Sequence, residues 1–331
     1  MKKIAIIASN NGLGHINRCI LLGNQLSKKF NVTIFCSKDK AKKFDISKKI
    51  KINNFEINLY KEKILKKKNN IHKFFNFKKK YDLYLSDNYP ELIHKNNNSI
   101  ILSNFFWHDV LKINTNYYKR IEKKILNRPI VPNYLFCSKY IKKRFNINPV
   151  GFYGNFKKNK FNNQKNGILL SFGTAESKNK MNIDTIEKYI KNRANIKYPV
   201  YLEPKFFSHK LKKYNVIKAT YDNKMYSNIA VAIIRPGLGT VTNCLAHGIT
   251  IFTHIKNENK EFIENAKILE INDIGVNFFN IKAAINFAIL IIDQKKFLKK
   301  KFEIAKNLKW NGELEVIKII QKIFKNKVLL T

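Results

Sequence analysis

Asn10-Asn11-Gly12-Leu13-Gly14-His15-Ile16-Asn17-Arg18 is the stretch on which the fold turns. Before it stands the apolar run Ile4-Ala5-Ile6-Ile7-Ala8, which reads as a buried strand over residues 3–8. After it, Ile16, Cys19, Ile20, Leu22, Gly23 and Leu26 recur at helical spacing and predict an amphipathic helix over 15–29. A strand, a Gly-containing loop and a helix, in that order, present free backbone N–H groups and a positive helix end to an anion. Gly12 and Gly14 let the backbone approach a ligand closely. His15 falls at the start of the helix, at the carboxyl edge of the sheet, where ligands of open α/β sheets bind. Taken alone, the element is equally consistent with a structural turn and a helix-capping histidine.

The same grammar recurs at Arg235-Pro236-Gly237-Leu238-Gly239-Thr240, after the apolar stretch 229–234. Arg235 ends the strand, Pro236 sets the turn, and Gly237 and Gly239 bare the backbone. Thr240 reads as the cap of a helix that packs through Val241, Cys244, Leu245 and Ala246. Thr240 and the loop amides suit a diphosphate. The chain has 12 glycines and only six arginines beside 58 lysines. Four of those glycines, with Arg18 and Arg235, lie in these two loops, where a backbone would have to meet a phosphate.

Strand and helix patterns alternate throughout, which argues for parallel sheets covered by helices. Further strands are expected at 32–36, at 81–86 ending on Asp87, and at 99–103, the last followed by a long helix to about Leu126. Tyr134-Leu135-Phe136-Cys137 reads as the last strand of a first domain. The pattern lapses between 147 and 166 and restarts at Gly167-Ile168-Leu169-Leu170-Ser171, which runs into the small-residue turn Phe172-Gly173-Thr174. Strands follow near 198–202, 214–219, 229–234 and 249–254. A helical tail begins near 281 and is interrupted at Trp310-Asn311-Gly312. The expected domains are 1–150, a linker 151–166, and 167–331 with the tail. With 331 residues, 44% of them apolar, the chain can bury two cores.

The formal net charge is +41. A compositional drift towards Lys, Asn, Ile and Phe is one account of it; an anionic surface as partner is the other. The scarcity of Arg argues against sequence-specific nucleic-acid binding, since base and phosphate readers recruit Arg. The Phe- and Lys-rich stretch 58–80 reads either as an interfacial membrane segment or as a basic excursion over the site. No run of 18 uncharged apolar residues exists to span a bilayer. The opening Met1-Lys2-Lys3 and its short apolar run lead straight into the first Gly loop, unlike a signal peptide. Cys19, Cys36, Cys137 and Cys244 form no metal or redox pattern, which fits a reducing compartment. The histidines at 72, 94, 108, 209, 247 and 254 have no ligand spacing and read as structural or surface groups. A cytoplasmic protein is expected, with a peripheral position at the inner face of a membrane open to it.

Residues 235–250, Arg-Pro-Gly-Leu-Gly-Thr-Val-Thr-Asn-Cys-Leu-Ala-His-Gly-Ile-Thr, followed by Asn257-Glu258-Asn259 through Asn265-Ala266, resemble the donor-binding half of GT-B glycosyltransferases. The likeness points to the group containing the bacterial peptidoglycan GlcNAc transferase (with its family 28-type donor domain) and the UDP-glucuronosyl and macrolide transferases. The first loop, Gly12-Leu-Gly-His-Ile-Asn-Arg18, is similar to that group's amino-terminal Gly-x-Gly-His element. A third stretch, Asp82-Leu-Tyr-Leu-Ser-Asp87-Asn-Tyr-Pro90 and then Ser103-Asn104-Phe105-Phe106-Trp107, resembles a run found in GT-B-like domains.

The resemblance implies an α/β GT-B fold, two Rossmann-like domains with parallel sheets facing across a cleft. It implies a metal-independent glycosyltransferase. Its nucleotide-sugar donor, UDP-linked by likeness, would be a co-substrate in place of any bound cofactor. The acceptor is unidentified, with a lipid-linked or cell-envelope molecule suiting the basic first domain. His15 matches the acceptor-site general base, and Asp87 the acid that orients it. Gly14, Ser171, Gly173, Thr174, Gly237, Gly239 and Thr240 match loops around the diphosphate. Arg235 falls beside the nucleotide, and Glu261 with Asn265 falls where donor-sugar hydroxyls are read. Asn243 stands where the family has a ribose-binding Glu, and the usual Gln pair or Asp-Gln of the polar loop is missing. These departures keep open a non-catalytic nucleotide-sugar-binding protein. The Gly12-to-Arg18 element, which also resembles the start of a nucleotide-sugar hydrolase of pseudaminic acid synthesis, keeps open a hydrolase in which His15 activates water.

Overall fold

The computed structural model describes residues 1–10, 12–55, 77, 80–94, 96, 98–113, 115–158, 160–173, 186–188, 190–191, 197–255 and 260–326. Most of the Phe- and Lys-rich stretch, Thr174 and the polar loop 257–259 lie outside the described residues. The chain divides into two compact units: Met1–Gly154 with Lys309–Thr331, and Asn155–Leu308.

The first unit runs β1 (Lys3–Ile7), α1 (Leu13–Leu26), β2 (Asn31–Cys36), α2 (Lys38–Ala41), β3 (Lys51–Asn54), β4 (Leu83–Asp87), β5 (Ser99–Leu102), α3 (Trp107–Val110), α4 (Asn116–Ile125) and α5 (Lys139–Arg144). Its sheet is parallel throughout, in the order β3-β2-β1-β4-β5. β1 is covered on both faces, which explains its nearly continuous apolar sequence. Ile4 and Ile6 enter one core and Ala5 and Ile7 the other, following the two-residue period of a strand. The face of α1 expected to pack, Ile16, Cys19, Ile20, Leu22 and Leu26, is buried against the first of these.

Two local expectations change, and one strand is new. Within Tyr134–Cys137, expected as a strand, residues 134–136 form a turn. Phe136 and Cys137 are apolar because they are buried, and Asn133 Oδ1 accepts the N–H groups of Leu135 and Phe136 at 3.0 and 3.2 Å, closing the turn from its own side chain. Beyond β5 the pairing continues only through isolated parallel bridges at Ile130, Asn133, Ile147 and Val150. The long helix after β5 is broken into α3 and α4 near Lys112, whose φ is +55°. β3 is an edge strand that the polar sequence Lys51-Ile52-Asn53-Asn54 did not announce.

The second unit runs β6 (Gly167–Ser171), β7 (Val200–Leu202), β8 (Val216–Lys218), α6 (Asn223–Asn228), β9 (Ile229–Ile234), α7 (Leu238–Ala246), β10 (Thr250–His254), α8 (Lys260–Ile271), β11 (Gly275–Phe278), α9 (Ile281–Ile292) and α10 (Lys295–Lys306). The sheet is again parallel, in the order β11-β10-β9-β6-β7-β8. The stretch expected as a free linker is partly packed on this unit. Phe156 and Phe161 meet Phe302 edge-on, with ring centroids 5.2 and 5.7 Å away, and the buried Lys165 donates to the His247 carbonyl at 2.6 Å.

The helical tail, read as the end of the second domain, returns to the first unit. After Leu308 the chain enters α11 (Gly312–Asn326), whose Val316, Ile317 and Ile320 join the core under α1. Glu315 and Glu313 accept the N–H groups of Gly151 and Gly154, both at 2.8 Å. The approach is so close that a Cβ at Gly312 would meet the Gly151 carbonyl oxygen at 2.1 Å. The sequence predicts a helical tail here, with no information on which core it would cover.

Candidate functional site

In the first unit, the loop ahead of α1 is anchored by its neighbours. Asn10 is buried; its side chain accepts the Ser37 N–H at 3.1 Å and donates to the Phe55 carbonyl, and Lys40 Nζ donates to its backbone oxygen at 2.7 Å. Gly12 sits at the helix cap with φ +90° and ψ 173°, a conformation an L side chain resists. The turn it allows starts α1 two residues ahead of His15. His15 and Arg18 are three residues apart and so share a helix face.

That face meets Asp87, the last residue of β4, beside β1 at the carboxyl edge. The Asp87 side chain is fully buried and accepts from three sides. His15 Nδ1 lies 2.9 Å from Oδ2, the Ser9 N–H reaches the same oxygen at 3.3 Å, and Arg18 donates to Oδ1. Arg18 Nη2 is also 3.2 Å from His15 Nδ1. The arrangement is consistent if Nδ1 carries the proton and donates it to Asp87, which leaves the lone pair on Nε2. Burial first, and the Arg18 guanidinium second, push the His15 pKa well below its ordinary value of 6.5. Near neutral pH the ring is therefore uncharged, with Nδ1 fixed and Nε2 able to take a proton. The structure brings the two expected catalytic residues together. It adds Arg18, which the sequence placed near a phosphate but which pairs with the acid. Gly14 lies in the first helical turn, beside them.

In the second unit, the expected residues gather at the exits of β6 and β9. The Arg235 N–H donates to the Ser171 carbonyl at 3.0 Å, and the Gly237 N–H to the Arg235 carbonyl at 2.7 Å. The Arg235 guanidinium stacks over the Phe262 ring at 3.9 Å. Phe262 comes from α8, and the buried Asn265 on the same helix donates to the Pro236 carbonyl at 2.9 Å. Asn265 thus braces the turn. Glu261, one helical turn earlier, is half-buried. Gly237, not Thr240, takes the capping position of α7, and no side chain caps the helix. Thr240 and Gly239 lie inside the first turn, because the helix starts at Leu238. The N–H groups of that turn carry the positive end of the helix.

Two expected residues are engaged from within. Ser171 Oγ lies 2.9 Å from the hydroxyl of Tyr221. The Asn243 backbone carbonyl lies 2.8 Å from His247 Nδ1, which donates to it. Gly173 has φ +75°, and its N–H goes to Glu203 at 3.0 Å. Sequence reasoning missed Glu203, Lys205 and Tyr221, which brace this turn. Their only trace was an acid directly after a three-residue strand, in a chain with 23 acids against 64 basic residues.

Away from these turns, His108 pairs with Glu122 at 2.7 Å and stacks on Tyr118, a structural role as expected. Among the described residues, no three His, Cys, Asp or Glu side chains are grouped to hold a metal ion. No described helix is long and apolar enough to cross a membrane.

Comparison with solved structures identifies the fold. The chain is similar to a glycosyltransferase of kitacinnamycin, at 12% identity and TM-score 0.62, covering 97% of this chain and 98% of the other. It is similar to CalG4, the calicheamicin glycosyltransferase, at 11% identity and TM-score 0.60, over 97% and 98% of the two chains. It is also similar to Os79 from O. sativa, solved in complex with U2F and a trichothecene, at 10% identity and TM-score 0.64, over 96% and 99%. No protein-family model matches the sequence, and no curated protein matches it significantly. The fold is that of the GT-B glycosyltransferases, two parallel α/β sheets in one chain.

Proposed function

We propose that the protein is a glycosyltransferase that moves a sugar from a nucleotide-sugar donor, UDP-linked by resemblance, to an acceptor hydroxyl. The observation that carries this reading is the His15–Asp87 pair: a neutral imidazole, held through Nδ1 by a buried carboxylate, at the carboxyl edge of the first sheet. His15 Nε2 takes the acceptor proton, and Asp87 stabilises the imidazolium as it forms. Arg235 and the first turn of α7 bear the negative charge of the departing nucleotide diphosphate. These residues supply the proton transfer and the charge stabilisation from protein groups alone. A lipid-linked or cell-envelope acceptor, with the basic protein lying peripherally on an anionic membrane, fits the net charge of +41.

The test is release of UDP from radiolabelled UDP-sugars. With acceptor present, His15→Ala should lower turnover by about 10²- to 10⁴-fold. Unchanged turnover would remove His15 as the base. A second reading, a nucleotide-sugar-binding protein without turnover, is favoured by Asn243, which stands where the resembled family has a ribose-binding Glu. Calorimetric binding of nucleotide sugars with no product from any of them would select it.

A further inference from the structure

At the exit of β6, the consecutive N–H groups of Phe172 and Gly173 both donate to Oε2 of Glu203, each at 3.0 Å. Glu203 directly follows β7, the neighbouring strand, and its own N–H donates to the Leu170 carbonyl at 3.3 Å, so the acid is tied to the sheet beside the turn it holds. It is 6% exposed. Lys205, two residues on, donates to the Gly173 carbonyl at 2.6 Å and stands 4.0 Å from Glu203 Oε1. Arg235 arrives from the adjacent strand β9. Its Nη1 would lie 3.6 Å from a Cβ built on Gly173, and its charge acts on Glu203.

Two charged side chains, Glu203 and Lys205, therefore fix a single two-residue turn, and a third, Arg235, lies beside it. The two amides are in the place where the sequence suggested a phosphate cradle, yet an internal carboxylate takes them. A carboxylate on two backbone N–H groups makes charge-assisted bonds that hold a turn more firmly than neutral ones. Its negative charge and the positive charge of the Arg235 guanidinium also act on each other. That limits where the guanidinium settles before any ligand arrives, so less ordering is left to be done on binding.

We propose that Glu203 is a positioning residue for the donor: it fixes the Phe172–Gly173 turn and, through that turn, presets Arg235 for the diphosphate. The proposal rests on the reading that the second unit holds the donor's diphosphate. It assigns diphosphate contact to Arg235 and the first turn of α7, and removes the amides of Phe172 and Gly173 from that role.

The experiment is calorimetry on the full chain with UDP, uridine and inorganic pyrophosphate, comparing wild type with Glu203→Ala and Glu203→Gln. The affinity ratio of UDP to uridine isolates what the diphosphate contributes. Glu203→Ala should weaken UDP and pyrophosphate at least about tenfold, equivalent to about 1.4 kcal/mol, and leave uridine within about twofold. Glu203→Gln keeps an acceptor for the two N–H groups and should recover part of the loss; it also carries the test if the Ala variant does not fold. Equal weakening of UDP and uridine, or an unchanged ratio, would reduce Glu203 to a structural residue and overturn the proposal. Tighter UDP or pyrophosphate binding would also overturn it, by showing that the carboxylate competes for the phosphate's place. Wild type that binds UDP but transfers no sugar refutes the glycosyltransferase reading and leaves this test decisive. Wild type that binds neither UDP nor pyrophosphate refutes the proposal.

Discussion

The two glycine turns share one local design and use it differently. Each follows a buried strand, and each starts a helix capped by a glycine with no side-chain cap. The first turn serves side chains: Gly12, at φ +90°, aims α1 so that His15 and Arg18 converge on Asp87. The second serves backbone and one cation. Gly237 has an ordinary φ of −71°, no side chain caps the helix among the described residues, and the Arg235 guanidinium lies over the Phe262 ring. A strand–glycine–helix motif therefore specifies an anion-facing geometry but not its use. The charged side chains around the turn decide that: His15 and Arg18 after the first glycine, Arg235 before the second.

Several substitutions press on this contrast. After His15→Ala, the largest effect is expected from Asp87→Asn, which keeps the shape but no longer fixes the His15 tautomer; turnover should fall about 10²-fold. Asp87→Ala should instead be read by denaturant unfolding. Removing one partner of a buried ion pair strands Arg18 and should cost about 3–5 kcal/mol. A loss below about 1 kcal/mol would mean the pair is more hydrated than the structure indicates.

At the second turn, Arg235→Lys should weaken UDP binding about tenfold, because Lys offers neither the planar stack on Phe262 nor a forked donor. Calorimetry checks it, and a Lys variant that binds as wild type would reduce Arg235 to a point charge.

Titration tests the first turn next. His15 is held below its ordinary pKa of 6.5, by burial first and by Arg18 second. The folded state then binds fewer protons than the unfolded state. Its stability is complete above about pH 6.5 and is lost as pH falls below that value. His247, pushed down to about 4 chiefly by burial, acts in the same direction. Melting temperatures between about pH 8 and 5 should drop less steeply in His15→Ala than in wild type. Parallel slopes would show that His15 is not held neutral in the fold.

The smallest effects are conformational. Gly12 has nothing within 4 Å of a Cβ, so Gly12→Ala tests φ alone and should cost about 1–2 kcal/mol. Gly237→Ala, with its nearest neighbour at 3.8 Å on Phe262, should stay within about 0.5 kcal/mol. Equal costs at the two positions would remove the distinction drawn between the turns.

What the sequence made legible follows from local rules. Buried parallel strands are runs of apolar residues, so β1, β4, β6, β9 and β10 were readable, and with them both turns and the sheet edge that carries Asp87. The edge strands β3 and β11 are short and mixed in polarity, and strand pairing across a long gap leaves no local mark. Tyr134–Cys137 shows the converse: an apolar run can be a buried turn when a preceding Asn closes it. At the site, His15, Asp87 and Arg235 were readable because motif and position agreed. Glu203 was not, since its work depends on two amides about 30 residues away in sequence.

The path of the chain has one consequence for its synthesis. The helix that covers α1 is encoded after the whole of the second unit. A ribosome therefore releases residues 155–308 complete while Ile16, Cys19 and Leu22 still wait for Val316 and Ile320. The half of the protein translated first is the half finished last, and until residue 320 emerges its apolar flank is open to chaperones.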